Sequence, residues 1–206
     1  MRGFYARVIF PWVLELSLAG AALAKERADA LKYAHGEVLE VGFGTGLNLP
    51  HYPRKVARLV ALDPEEMLRA KVSQRISAAS FPVERVQQAG EHLPFAAGQF
   101  DCVVTTLTLC TIADPVSALS EILRVLRVGG TYIFLEHGRS TDAGVARLQD
   151  RVNPLWRRCG IGRGCNINRP IDALIVQGGL RITSLERHTM GRPRIMKEMY
   201  RGLATL

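Results

Sequence analysis

The chain alternates short, nearly continuous apolar runs with longer stretches whose apolar positions recur every three or four residues. The runs at Glu37–Val41, Leu59–Leu62, Val83–Gln87, Asp101–Thr106 and Thr131–Glu136 are too short for helices. They predict strands, buried on both faces where apolar residues are continuous. Glu65–Ala78 and Pro115–Leu126 carry helical spacing and predict helices between strands. This rhythm implies βαβ units and an α/β fold around a mostly parallel sheet. Such a sheet takes its ligand at the carboxyl ends of the strands, where chain order reverses. Neither an internal repeat nor a long linker divides the chain. Residues 1–206 therefore read as a single domain: a helical arm over 1–34, a core over 35–138 and a C-terminal segment over 139–206.

The arm is the least regular part. From Ile9 to Ala24 it is apolar, but Pro11, Glu15 and Ser17 interrupt it. A spanning helix needs about 20 predominantly apolar residues, and this stretch falls short. Arg2 and Arg7 ahead of an apolar run also resemble an export signal, but Glu15 inside the run argues against one. The preferred reading is a helix that packs over the ligand site; the alternative is contact with a membrane surface.

Apolar residues make up 48% and charged residues 22%, which excludes disorder as the main state. Four cysteines in 206 residues are no disulfide scaffold, so the expected compartment is the reducing cytoplasm. The net charge of +8 is one-sided. Residues 1–138 carry 14 basic and 14 acidic side chains, whereas 139–206 carry 13 and 5. Such a field suits peripheral contact with an anionic membrane or an acidic substrate, unless the arginines merely solvate helices. Nucleic acid is disfavoured, because Arg157, Arg158, Arg163 and Arg169 lack an interleaved aromatic platform.

The chemistry concentrates in VLEVGFGTGLNLP, Val38–Pro50. A buried strand runs into Gly42, Gly44 and Gly46, where the absence of a Cβ lets a ligand approach the backbone. The spacing is neither G-x-G-x-x-G nor a P-loop, which disfavours phosphate cradling. Glu40 lies two residues before the loop, placed to meet a cationic ammonium. Asp63 ends the second strand in LVALDP, placed to accept both hydroxyls of a ribose. The combination fits a nucleoside with an amino-acid end.

EVGFGTG, ALDP, EHLPFAAGQFDCVV and ILRVLRVGGTYIFLEHG, in that order, resemble a class I S-adenosylmethionine-dependent methyltransferase of the type 11 group. The resemblance covers about residues 37–137. It implies a Rossmann-like seven-stranded sheet of order 3-2-1-4-5-7-6, strand 7 antiparallel, with helices on both faces. It also implies S-adenosyl-L-methionine as cofactor and S-adenosyl-L-homocysteine as product. Glu40, Gly42, Gly44 and Gly46 would surround the methionine portion and Asp63 the ribose. Pro64 and Met67 would flank the adenine, with Gly90 and Glu91 along its other edge, His92 beside it and Thr106 completing the set. Where many relatives carry G-D-A-E, this chain has Gln88-Ala89-Gly90-Glu91, so Glu91 or a backbone carbonyl must meet the adenine amino group.

TTLTLCTI, FLEHGR, QDRVNPLWRR, GCNINR and the closing YRGLATL are similar to a smaller group: the methyltransferase-like thiol methyltransferases, with bacterial phospholipid N-methyltransferases sharing a comparable core. The expected acceptor is a small molecule, a thiol first and a lipid or other amine second. On the acceptor side, His137 and Asp150 are the catalytic candidates. Asp150, Asn153 and Trp156 share one segment, with Asp150 and Asn153 helical neighbours if it is helical, and are candidate lining residues of an acceptor pocket; the alternative is an ordinary amphipathic helix ending at Pro154. Tyr5 is a candidate cap. Cys102 and Cys110 read as small buried residues. Cys159 and Cys165, six apart, with an isolated His188, make weak zinc evidence, so no metal is expected. Two other classes remain open: an NAD-dependent oxidoreductase and a noncatalytic membrane-peripheral module.

Overall fold

The structure is a computed structural model and describes residues 9–158, 164–191 and 193–206. Arg2, Tyr5, Arg7, Cys159 and Arg163 lie outside the described residues. Seven strands form one sheet: β1 (Gly36–Val41), β2 (Val56–Leu62), β3 (Val83–Val86), β4 (Phe100–Thr106), β5 (Leu126–His137), β6 (Arg181–Thr189) and β7 (Glu198–Thr205). Their order is β3-β2-β1-β4-β5-β7-β6. The pairs from β3 to β5 are parallel, while β7 runs antiparallel between β5 and β6. This is the Rossmann-like arrangement expected. Chain order reverses between β1 and β4, so their carboxyl ends flank a crevice.

The central strands are apolar on both faces because both are covered. Leu39, Val41, Val60 and Leu62 pack into one core with α4 (Pro115–Val125) and α6 (Ile171–Gln177). Val38, Leu59, Ala61, Cys102 and Val104 pack into another, with α2 (Ala21–Leu31) and α3 (Arg69–Ser77). Cys102 is a buried core residue, as expected of it.

The arm forms α1 (Phe10–Leu18) followed by α2. Its three interruptions each have a local reason. Pro11 occupies the first turn of α1, where a missing N–H breaks no helical bond. Ser17 satisfies its hydroxyl on the Val13 carbonyl at 2.7 Å. Glu15 is buried, held by partners outside the helix. Among the described residues, no helix is long and apolar enough to cross a membrane.

Two predicted helix boundaries shift. The stretch expected as helix from Glu65 becomes helical only at Arg69. Asp63 Oδ1 accepts the Glu65 N–H at 2.9 Å, and Leu68 turns left-handed with φ of 44°, so residues 63–68 form a loop. The segment expected to stop at Pro154 continues through it as α5 (Ala143–Arg158). One proline removes one backbone bond; buried Val145, Ala146, Gln149 and Asn153 hold the helix before it, and the partly buried Trp156 packs beyond it.

Candidate active site

A cavity of about 410 Å³ opens at the carboxyl ends of β1, β2 and β4. Its floor is the glycine loop. Gly42, Gly44 and Gly46 all have positive φ, which only glycine adopts without strain. They differ in what surrounds them. A Cβ on Gly42 would overlap the Thr108 side chain, whereas one on Gly44 would meet only Met67 Cε, 3.9 Å away. Gly42 therefore serves close packing between loops, and Gly44 leaves space for a ligand.

Glu40 is buried at one end of the cavity. Asn48 Nδ2 donates to its Oε1 at 3.0 Å and Tyr52 Oη to its Oε2 at 2.8 Å. Burial pushes the carboxyl up to about 8, against the opposing pull of these two donors and of the Arg27 charge. Arg27, from α2, lines the same cavity and is only 3% exposed. One of its terminal nitrogens donates to the Leu18 carbonyl at 2.8 Å. Its Nε has no partner, and neither has the buried Oδ1 of Asn48, another lining residue. Orphaned buried polar atoms are rare in a finished interior, and on a cavity wall such a donor and acceptor are open to a ligand.

Asp63 lines the other side. Its Oδ2 accepts the Gly44 N–H at 2.8 Å and its Oδ1 the Glu65 N–H. Burial raises its pKa, moderated by those two backbone donors. Each oxygen keeps a free lone pair, enough for two hydroxyls. Over the cavity, α1 contributes Phe10, Leu14 and Leu18. The helix is fastened to the floor by Glu15, which accepts from Thr45 Oγ1 at 2.6 Å, Arg75 Nη2 at 2.6 Å and Lys71 Nζ at 3.2 Å. Burial alone would raise Glu15; the bonds from Arg75, Thr45 and Lys71 overcome it and hold the carboxyl at about 2.

Of the eleven cofactor candidates, nine line the cavity: Glu40, Gly42, Gly44, Asp63, Pro64, Met67, Gly90, Glu91 and Thr106. Gly46 lies behind it, shaping the loop through its N–H to the Phe43 carbonyl at 3.0 Å. His92 is not in the lining. Glu91 Oε1 accepts the Ala113 N–H at 3.1 Å, so that oxygen is engaged in tying two loops. Both catalytic candidates are elsewhere. Asp150 pairs with Arg139 at 2.6 Å and accepts from Asn168 at 2.9 Å on the surface, because α5 turns it away from the cavity. His137 is buried beside Cys165, its Nε2 3.2 Å from the sulfur, and does not reach the lining. Asn153 holds the Ile167 N–H, a structural bond. Arg27, Asn48, Tyr52 and Glu15 escape motif reading altogether. Asn48 lies inside the quoted loop, but nothing local announces its aim at Glu40; Arg27 reads as one of many helix arginines.

The methyltransferase domain family matches residues 39–134, the stretch that supplies most of the cavity. Residues 39–134 belong to that family. It is 36% identical over 142 residues to thiol S-methyltransferase TMT1B of Homo sapiens, covering 66% of this chain and 57% of that protein. It is 34% identical over 104 residues to phosphatidylethanolamine N-methyltransferase of Cereibacter sphaeroides, covering 50% and 51%. The chain thus spans little more than half the length of these relatives. Among solved structures, a geranyl diphosphate methyltransferase in complex with SAM superposes with a TM-score of 0.67 at 13% identity, over 89% of this chain and 84% of that one. At that identity the likeness speaks for the fold.

Proposed function

We propose that this methyltransferase moves the methyl group of S-adenosylmethionine to a small thiol. The observation that carries the cofactor half is the arrangement of charge along one cavity. A buried carboxylate and a buried, under-bonded guanidinium stand at one end, matching the ammonium and carboxylate of an amino acid. Asp63 stands at the other, matching a ribose. Gly44 leaves the loop open between them. Bound there, the sulfonium supplies an electrophilic methyl group. The chain's own part is to orient the donor through Arg27, Glu40 and Asp63, and to exclude water beneath Phe10, Leu14 and Leu18. Holding the acceptor near the methyl is worth roughly 7–11 kcal/mol of avoided entropy loss.

The thiol half rests on the TMT1B likeness and on the wall chemistry. Among the described lining residues there is no histidine and no cysteine, while Leu107 and Ile112 give an apolar surface. A thiol with a pKa near about 8.5 supplies its own thiolate without a protein base; an ammonium ion does not. Calorimetric titration with S-adenosylmethionine, its demethylated product and NAD tests the donor, and preference for NAD overturns the family-based reading. Mass spectrometry after incubation with small alkyl thiols, and separately with phosphatidylethanolamine vesicles, tests the acceptor. Methylation of the lipid alone replaces the thiol by an amine.

A peripheral membrane contact is a second proposal, supported by the outward face of α1. Ile9, Trp12, Val13 and Leu16 are exposed there, Leu16 by 76%.

A further inference from the structure

Cys110, His137 and Cys165 come from three separate segments: the turn after β4, the end of β5 and the loop before α6. All three are buried, and one ligand atom from each lies within 4.8 Å of the others. None lines the cavity, so methyl transfer leaves this cluster without a task. We propose that Cys110 Sγ, Cys165 Sγ and His137 Nε2 form a zinc site with one coordination position left to a further ligand.

The geometry and the donor set both point there. Zinc takes thiolates at about 2.3 Å and imidazole at about 2.0–2.1 Å in a tetrahedron, which sets ligand atoms roughly 3.5–4 Å apart. The three atoms already stand within about an ångström of that spacing. Two thiolates and an imidazole suit zinc, while the absence of a carboxylate from the trio disfavours magnesium or calcium. On binding, the metal replaces the protons shared among these groups, two sulfurs and one ring nitrogen becoming ligands and the displaced protons passing to solvent.

The backbone around the cluster is assembled without help from a metal. Asn166 donates to the Cys110 carbonyl twice, from its N–H at 2.7 Å and from Nδ2 at 3.0 Å. Gln149 Nε2 reaches the carbonyls of Gly138 at 3.0 Å and Ile167 at 2.8 Å. Arg169 holds the carbonyls of Leu109 and Ile112. These bonds fix the ligand-bearing segments relative to one another, the preorganisation a metal site requires. The segment carrying Cys110 also gives Leu107, Thr108, Thr111 and Ile112 to the cavity wall. A metal here therefore pins that wall to the C-terminal part of the chain.

Cys159, Cys165 and His188 alone give no basis for a metal in the sequence. Cys159 lies outside the described residues, and His188 sits beside Glu26 at 3.2 Å. The residues that meet are 27 and 28 positions apart (110 to 137, 137 to 165), a spacing no motif reports.

The test is metal content, which is independent of the methyl acceptor. The full chain, reduced and incubated with zinc, then gel-filtered, should retain about one zinc per chain by elemental analysis. Cobalt exchanged into it should show the visible bands of tetrahedral thiolate coordination. Cys110→Ser and Cys165→Ser should each lose most of the metal, while Cys102→Ser, elsewhere in the core, retains it. Donor binding, measured in parallel, shows whether each variant has folded. Reduced wild-type chain that retains well under one zinc overturns the proposal, whether its peptide map shows free thiols or a Cys110–Cys165 disulfide. So does full zinc retention by a folded Cys110→Ser or Cys165→Ser variant.

Discussion

Arg27 and Glu40 are a matched pair, and each has its own signature. Arg27→Met removes the guanidinium but keeps much of the apolar stem. A hydrogen bond to a charged group is worth about 1.5–3 kcal/mol, so affinity for S-adenosylmethionine should fall about 10- to 150-fold. Methylthioadenosine, which lacks the amino-acid end, should bind as before; an equal loss for both would remove Arg27 from that end. Glu40 has a folded pKa raised by burial to about 8, so the folded chain holds this proton more tightly than the unfolded chain does. Its contribution to stability is full below 4.5 and is lost as pH rises towards 8. An ammonium partner favours the charged form, so binding at pH 7 should release a proton. Calorimetry in buffers of different ionisation enthalpy would read that release, and Glu40→Gln should abolish it; unchanged release in the variant assigns the proton elsewhere. The glycines divide likewise. Gly44→Ala should fold with some strain and lose donor binding, whereas Gly42→Ala should lose thermal stability first, because its Cβ collides with Thr108; the opposite pattern would exchange their roles. Glu40 and Asp63 were legible because strand ends and glycine loops announce themselves locally. Arg27 was not, since its meaning comes from where α2 lands, thirteen residues before Glu40 (40 − 27) and in another layer of the fold.

At the scale of elements, α1 is fixed to the glycine loop mainly through Glu15. Arg75 and Lys71 are partly solvated and regain water when Glu15 goes, so Glu15→Ala should cost about 1–3 kcal/mol rather than the larger toll of a fully buried pair. The folded pKa is depressed, so this stabilisation is present above 4.5 and lost as pH falls towards 2. Hydrogen exchange over residues 10–18 should therefore quicken through that window in the wild type and be fast throughout in Glu15→Ala. Exchange that ignores both acid and substitution would mean that Phe10, Leu14 and Leu18 hold the helix by packing alone. Glu15 interrupts an apolar run in the sequence, and that very residue is the anchor: a lone charge in an apolar stretch marks a long-range partner as readily as a helix end. The strands were legible because a sheet covered on both faces needs unbroken apolar runs. The first part of β5, residues 127–130, fell between a predicted helix and a predicted strand, and β6 carries no apolar run because most of its positions are exposed. The late start of α3 was hidden because Asp63, singled out as a ligand residue, also caps the turn that delays it.

Over the whole molecule, the basic excess of residues 139–206 is partly spent internally. Arg139 pairs with Asp150, Arg187 with Asp172, and Arg201 with Glu26, Asp29 and Glu186, while Arg169 serves backbone carbonyls. Of these, only Arg201 with Glu26 and Asp29, and Arg169 with the carbonyls of Leu109 and Ile112, tie the C-terminal segment to the rest; the other pairs lie within it, and net charge alone showed neither. What reaches solvent is concentrated on α5, where Arg147, Arg151, Arg157 and Arg158 are exposed beside Leu148 and Leu155. Cations beside apolar side chains suit the interface of an anionic bilayer, where each basic residue is worth about 1 kcal/mol and the attraction is screened over about 10 Å at 0.1 M salt. The chain should therefore co-sediment with vesicles rich in anionic lipid at low ionic strength, less with neutral ones, and progressively less as salt is added. Leu16→Ser on α1 and Leu155→Ser on α5 separate the two surfaces: the one that carries the contact should weaken vesicle binding while leaving donor affinity intact. A salt-insensitive interaction lost with Leu16→Ser would assign the contact to the arm alone, and no co-sedimentation with anionic vesicles at low salt would leave both surfaces to water.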